Sequence, residues 1–144
     1  GRKGKELSAG DDVEWCWLMQ LMGYKVAYST KLQFTHQLPA SRLTWEYYIR
    51  LKKGISGSAG LLSAYNFYFS ASFRPVVGFV FHYFTKTVKS VLLYGKYWVR
   101  WVGKPSNPEN QVSFAILESQ MWSYLRQGKS ALIHFRQLKN YFGA

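Results

Sequence analysis

The chain has 144 residues, a formal net charge of +12, 19% aromatic residues and a single cysteine, Cys16. One cysteine excludes an internal disulfide framework and a cysteine-based zinc site. The length suits one domain with its own core, and the charge points to acidic partners such as phosphates or an anionic surface.

The first element opens on two adjacent acids, Asp11-Asp12, preceded by Gly10 and followed by Glu14. Acids at a helix start serve as caps and meet the positive end of the dipole. The same carboxylates can form the base end of an active site. Val13, Trp17, Leu18, Leu21 and Met22 recur at helical spacing, and Gly23 ends the run as a C-cap. Tyr24 to Gln37 reads as extended. Val26 and Tyr28 share one side, and Leu32, Phe34 and His36 alternate on another, with a turn near Ser29-Thr30. Pro39 breaks the chain. Ser41 is placed to cap a second helix carrying Leu43, Tyr47, Ile49 and Leu51, closed by Gly54. Gly54 to Gly60 and Gly103 to Pro108 read as linkers.

The order of acid pair, helix, Gly23-Tyr24-Lys25-Val26, Leu32-Gln33-Phe34-Thr35-His36 and Arg42-Leu43-Thr44-Trp45-Glu46-Tyr47 resembles the closing part of a family 2 glycosyltransferase catalytic domain of the GT-A fold. The likeness covers about residues 2 to 60. It implies a catalytic base at Asp12, with Asp11 in the place where the family usually has glutamate. It implies a metal-holding role for His36, and substrate contacts from Glu14, Arg42 and Trp45. Many members carry an arginine on the helix after the acids; Leu18 stands in that place here.

The residue types suit the implied chemistry. An inverting sugar transfer needs a base on the face opposite the departing diphosphate, and an accessible carboxylate can be that base. A divalent cation, Mn or Mg, neutralises the charge on the leaving group. Oxygen ligands suit either ion, and imidazole suits manganese. The sequence holds no Asp-x-Asp, and no Gly-rich phosphate loop follows a strand. The expectation is therefore the C-terminal part of a longer enzyme. The missing half would bind most of the nucleotide-sugar donor, and this part alone would be inactive with no cofactor bound. The acceptor would be a glycan or lipid-linked hydroxyl.

The middle of the chain concentrates the charge. Residues 1–46 hold six basic and five acidic side chains, residues 47–108 nine and none, and residues 109–144 four and two. Laid out at about 100° per residue, His82, Lys86, Lys89, Lys96, Arg100 and Lys104 fall within an arc of roughly 80°. Val77, Val80, Phe84, Val88, Val91, Trp98 and Val102 fall opposite, while Phe79, Leu93 and Tyr97 interrupt the basic edge. Such a helix lies in a membrane interface with basic residues toward anionic headgroups, or it turns its apolar side to a core. Gly78 and Gly95 weaken a single continuous helix. The aromatics lie opposite the charge rather than between charges, so nucleic-acid binding is not expected.

Asn107-Pro108-Glu109 is a helix start, and Ile116, Leu117, Met121 and Leu125 form its apolar stripe before Gly128. Ser130 then opens a last helix with Leu132, Phe135, Leu138 and Phe142. His134 has no partner legible in sequence. Cys16, in mid-helix, reads as a buried reduced thiol of a cytoplasmic protein, peripheral on the inner face of the membrane. The expected fold is mainly α with a short β-strand pair, the C-terminal piece of an α/β enzyme. Residues 1–54 finish the catalytic domain. Residues 55–144 form a helical extension with a basic aromatic segment over 75–104. Surface left uncovered by the missing half is expected to favour dimers. The alternative is a non-catalytic membrane-surface or partner-binding helical module, in which the acids are caps.

Overall fold

The structure, a computed structural model, describes residues 11–71, 75–102 and 107–143. These form α1 (Asp11–Leu21), a 3-10 turn (Ala40–Arg42), α2 (Trp45–Ser56), α3 (Ala59–Ser70), α4 (Val76–Trp101) and α5 (Pro108–Phe142). The chain is mainly α, as expected. The long α5 is the spine, and α2, α3 and α4 pack along it.

The start and stop signals explain the first elements. Gly23 takes a left-handed φ of 89°, which favours glycine. The Gly23 N–H donates to the Gln20 carbonyl and the Tyr24 N–H to the Met19 carbonyl, both at 3.0 Å. This is the paired-bond ending that closes a helix on glycine. Trp17, Leu18 and Leu21 then pack against the core.

Beyond Gly23 the strand pair expected over Tyr24 to Gln37 is not formed among the described residues. Tyr28 and Phe34 are 91% and 86% exposed. Alternation prepares a strand, but an isolated segment has no ladder to pair its N–H and C=O groups. Ser41 is not the cap of the second helix. It sits in the 3-10 turn after Pro39, and Thr44 accepts the Tyr47 N–H at 3.2 Å. Gly54 lies inside α2, which runs to Ser56, so the expected linker from Gly54 shrinks to the turn between α2 and α3. Residues 103–106, including Lys104, lie outside the described residues.

The start of α3 is satisfied by another helix. The side chain of its capping residue, Ser58, does not cap it. Instead the Gly60 N–H donates to Ser123 Oγ at 2.8 Å and the Leu61 N–H to Gln127 Oε1 at 3.0 Å. Gln127 Nε2 returns a bond to the Gly57 carbonyl at 2.8 Å. The backbones come so close that a Cβ on Gly60 would lie 2.7 Å from the Ser123 carbonyl oxygen. Only glycine fits there. Gln127→Ala leaves the Leu61 N–H and the Gly57 carbonyl without their partner. It is expected to lower stability by about 1–3 kcal/mol in urea titration, and an unchanged midpoint would refute this cross-helix cap.

The expected break at Gly128-Ser130 does not occur; α5 is one helix of 35 residues. Asn107 caps it through the Asn110 N–H at 2.8 Å, with Pro108 in the first turn, as its sequence predicts. Glycine inside a helix costs about 1 kcal/mol relative to alanine, and α5 runs on through Gly128, where the Tyr83 ring packs close enough that a Cβ would touch it in ordinary contact at 3.4 Å. The Tyr83 hydroxyl donates to the Tyr124 carbonyl at 2.8 Å. Burial, with Tyr124 alongside, pushes the Tyr83 phenol up to about 12, so this donor keeps its proton.

The core is aromatic. Ala64, Tyr65, Tyr68, Phe79, Ala131, Phe135 and Leu138 form one buried cluster from α3, α4 and α5. Phe79 and Phe135 stack with centroids 4.5 Å apart, and Phe67 meets both rings edge-on. Phe79, which interrupts the basic edge of α4 in sequence, is thus the residue that anchors α4.

Candidate functional site

The acids sit where α1 begins. Asp11 opens the helix, and its side chain lies outside the described residues. Asp12 is exposed, and one of its carboxylate oxygens accepts the N–H of Val13 at 3.0 Å. That local bond holds the carboxylate at the helix start and leaves further lone pairs facing solvent.

Glu14 points the other way, into the bundle. It accepts the Tyr65 hydroxyl at 2.9 Å and faces His134 Nε2 at 3.2 Å; His134 Nε2 lies 2.8 Å from the Tyr65 oxygen. Burial, then the hydrogen bond to Glu14 and its charge, push the Tyr65 phenol well above its ordinary value. Tyr65 therefore keeps its proton and donates it to Glu14. With that proton engaged, the hydrogen between His134 and the Tyr65 oxygen must be carried on Nε2. Trp17 packs on the Tyr65 ring at 5.4 Å and on Phe69 at 6.2 Å. Glu14 and Trp17 together fasten the acid helix to α3 and α5. Sequence reading missed this network, although His134 lies on the same stripe as Ala131, Phe135 and Leu138, where a polar residue signals a buried partner. Tyr65→Phe removes the shared hydroxyl. We expect a loss of about 1 kcal/mol in denaturant unfolding; stability equal to the parent would show that the network contributes nothing.

Arg42 and Trp45 come together. With Leu43, Thr44, Tyr48, Glu109, Val112 and Ser113 they line an open groove of about 620 Å³ between the start of α2 and the start of α5. Trp45 stacks on Tyr48 at 5.4 Å, and its indole N–H donates to Gln111 Oε1 at 3.2 Å. An aromatic face beside a guanidinium and a carboxylate suits a polyhydroxylated ligand, which offers both C–H faces and hydroxyls.

His36 is exposed on the segment after α1. Among the described residues, no group of three or more His, Cys, Asp or Glu side chains is placed to hold a metal ion. Cys16 is exposed, not buried, because the core side of α1 is taken by Trp17, Leu18 and Leu21.

The third group of sequence-selected residues lies on α4. Lys86, Lys89, Lys96, Arg100 and Trp98 are all exposed. The apolar side opposite the charge does not face the core. Val77, Phe81, Phe84, Leu92, Trp98 and Val99 are each at least half exposed. The seam with α5 is a third face, built by Phe79, Tyr83, Ser90 and by Tyr94, whose ring lies 5.1 Å from Phe114. His82, at the basic edge, is held below the ordinary imidazole range by burial and by Lys86, so the charge of this edge comes from Lys and Arg. By length and composition α4 is apolar enough to cross a bilayer.

No family model, curated protein or solved structure matches this chain.

Proposed function

We propose that the chain is the acceptor-side, base-bearing part of an inverting glycosyltransferase, transferring a sugar from a nucleotide-sugar donor to an acceptor hydroxyl in glycan or polysaccharide synthesis. The observation that carries the reading is the placement of Asp12: an exposed carboxylate on a helix start fastened from behind by Glu14, Tyr65 and His134. A general base needs both features, access to the substrate hydroxyl and a fixed direction.

In the proposed step, Asp12 takes the proton of the acceptor hydroxyl as its oxygen attacks the anomeric carbon. The bond from that carbon to the diphosphate oxygen breaks, and the nucleoside diphosphate leaves with the electron pair. Attack from the face opposite the leaving group inverts the anomeric centre. Glu14 acts here as a positioning residue for α1 rather than a substrate contact, because its carboxylate is engaged by Tyr65. Arg42 and Trp45 line a groove at the other end of the bundle, roughly 30 Å along α5 from His134, so an acceptor contact there is with a part of the glycan remote from the hydroxyl that Asp12 deprotonates. The bound divalent metal of such enzymes would neutralise the leaving diphosphate. His36 is the candidate contribution from this chain, in a site completed by residues beyond those described.

The proposal requires a donor-binding half. The intact mass of the native gene product tests this. A mass at least about twice the 16.7 kDa of this chain is expected. A mass near 16.7 kDa would favour the second reading, a non-catalytic surface-binding helical module, for which the exposed apolar face of α4 is the supporting observation.

A further inference from the structure

We infer that α4 is a membrane-docking helix that lies along the surface of an anionic bilayer, with its exposed apolar face in the acyl boundary and Lys86, Lys89, Lys96 and Arg100 toward the lipid phosphates. The inference does not rest on the transferase reading, since it concerns a surface remote in role from Asp12 and needs no chemistry.

Three observations carry it. The first is the geometry of the three faces. On the helical wheel the core seam centres on Phe79 and Ser90, and the exposed apolar arc runs over about 120° from Val80 and Trp98 to Leu92. The basic arc occupies the remaining flank. An apolar face of this width, open to solvent along a 26-residue helix, is unusual for a solvated surface. The second is charge. Residues 47–108 contain no acidic side chain, and among the described residues no carboxylate pairs with Lys86, Lys89, Lys96 or Arg100. Four uncompensated cations along one edge complement a surface that is negative over its whole extent, which an anionic bilayer is. The third is the meeting of both features on one open patch of α4, where Phe84, Val88 and Leu92 lie beside Lys89 and Lys96. Apolar side chains beside lysine amines match acyl chains beside phosphates.

The same packing argues for lying on the membrane rather than crossing it. Along its length α4 is joined to α5 through Phe79 on Phe135, Tyr83 on Tyr124 and Tyr94 on Phe114. The other side of α5 exposes Arg126, Lys129, Arg136 and Lys139. A crossing α4 would carry these charges into hydrocarbon, where they have no counter-charge.

The test is flotation of the 144-residue chain with vesicles of pure phosphatidylcholine or of equimolar phosphatidylcholine and phosphatidylserine. The chain is expected to float with the anionic vesicles, and raised salt should weaken the binding. Replacing Lys86, Lys89, Lys96 and Arg100 by glutamine should lower the partition coefficient at least about tenfold, as should Phe84→Ser with Leu92→Ser. These side chains are outside the core, so circular dichroism should show parental helix content; a variant that loses helix is replaced by the salt series, which needs no substitution. Oriented circular dichroism on supported anionic bilayers should show α4 parallel to the surface. The inference is overturned if the chain fails to float, or if it floats equally with both lipids and the variants bind like the parent. A perpendicular helix overturns it in favour of a span. A dimer dispersed by Phe84→Ser, with no lipid binding, overturns it in favour of a second copy on this face.

Discussion

Asp12→Asn in the complete protein is expected to lower the rate of sugar transfer by about 100- to 10,000-fold, the usual contribution of a general base. The substitution is chosen because it separates chemistry from folding. In the structure the Asp12 side chain accepts the Val13 N–H, and an asparagine carbonyl can accept the same bond. Asparagine and aspartate are equivalent as helix caps. The unfolding midpoint should therefore move little while transfer is lost. The expected split is in kcat, because a base acts in the transition state rather than in substrate binding. Transfer at the parental rate would show that Asp12 is only a cap, and the module reading would stand.

Phe135→Ala carries the largest expected cost to the fold, about 3–5 kcal/mol in urea titration. Phe135 is fully buried. It stacks on Phe79 of α4 and meets Phe67 and Tyr68 of α3, so one ring joins three helices. Truncation leaves a cavity whose walls belong to different elements, and none can collapse into it without shifting a helix. The exposed Phe34 serves as the control: Phe34→Ala should change stability by no more than about 0.5 kcal/mol. Equal effects at both positions would mean that the core does not sit where these helices place it.

What sequence makes legible here is local. The end of α1 at Gly23 and the start of α5 at Asn107-Pro108 each rest on a few neighbouring residues, and both are found where their signals stand. What it hides is set by partners. Gly128 reads as a helix stop until Tyr83 is seen packed over it. Gly54 to Gly60 reads as a linker until the Ser123 and Gln127 side chains of α5 are found closing the start of α3 there. Alternation from Val26 to Phe34 reads as a strand pair, yet no described neighbour completes a sheet. On α4 the sequence separates charge from apolar residues but does not say which apolar residues face the core. The structure buries Phe79 and leaves Phe84 and Trp98 outside.

The candidate site divides the same way. Asp12 stands out in the sequence by its place at a helix start and by the family likeness, and it is exposed there. Arg42 and Trp45, three residues apart, share a groove. Tyr65 lies 51 positions from Glu14, and His134 a further 69 positions on, distances over which a single sequence carries no pairing signal.

The stereochemistry of transfer by the native protein tests the central claim most directly. The complete gene product would be incubated with nucleotide-sugar donors and an acceptor glycan, and the anomeric configuration of the product read by NMR. Inversion relative to the donor is the expected result, because a single displacement assisted by Asp12 permits no other. Retention of configuration, or no transfer by the native protein, would contradict the transferase reading.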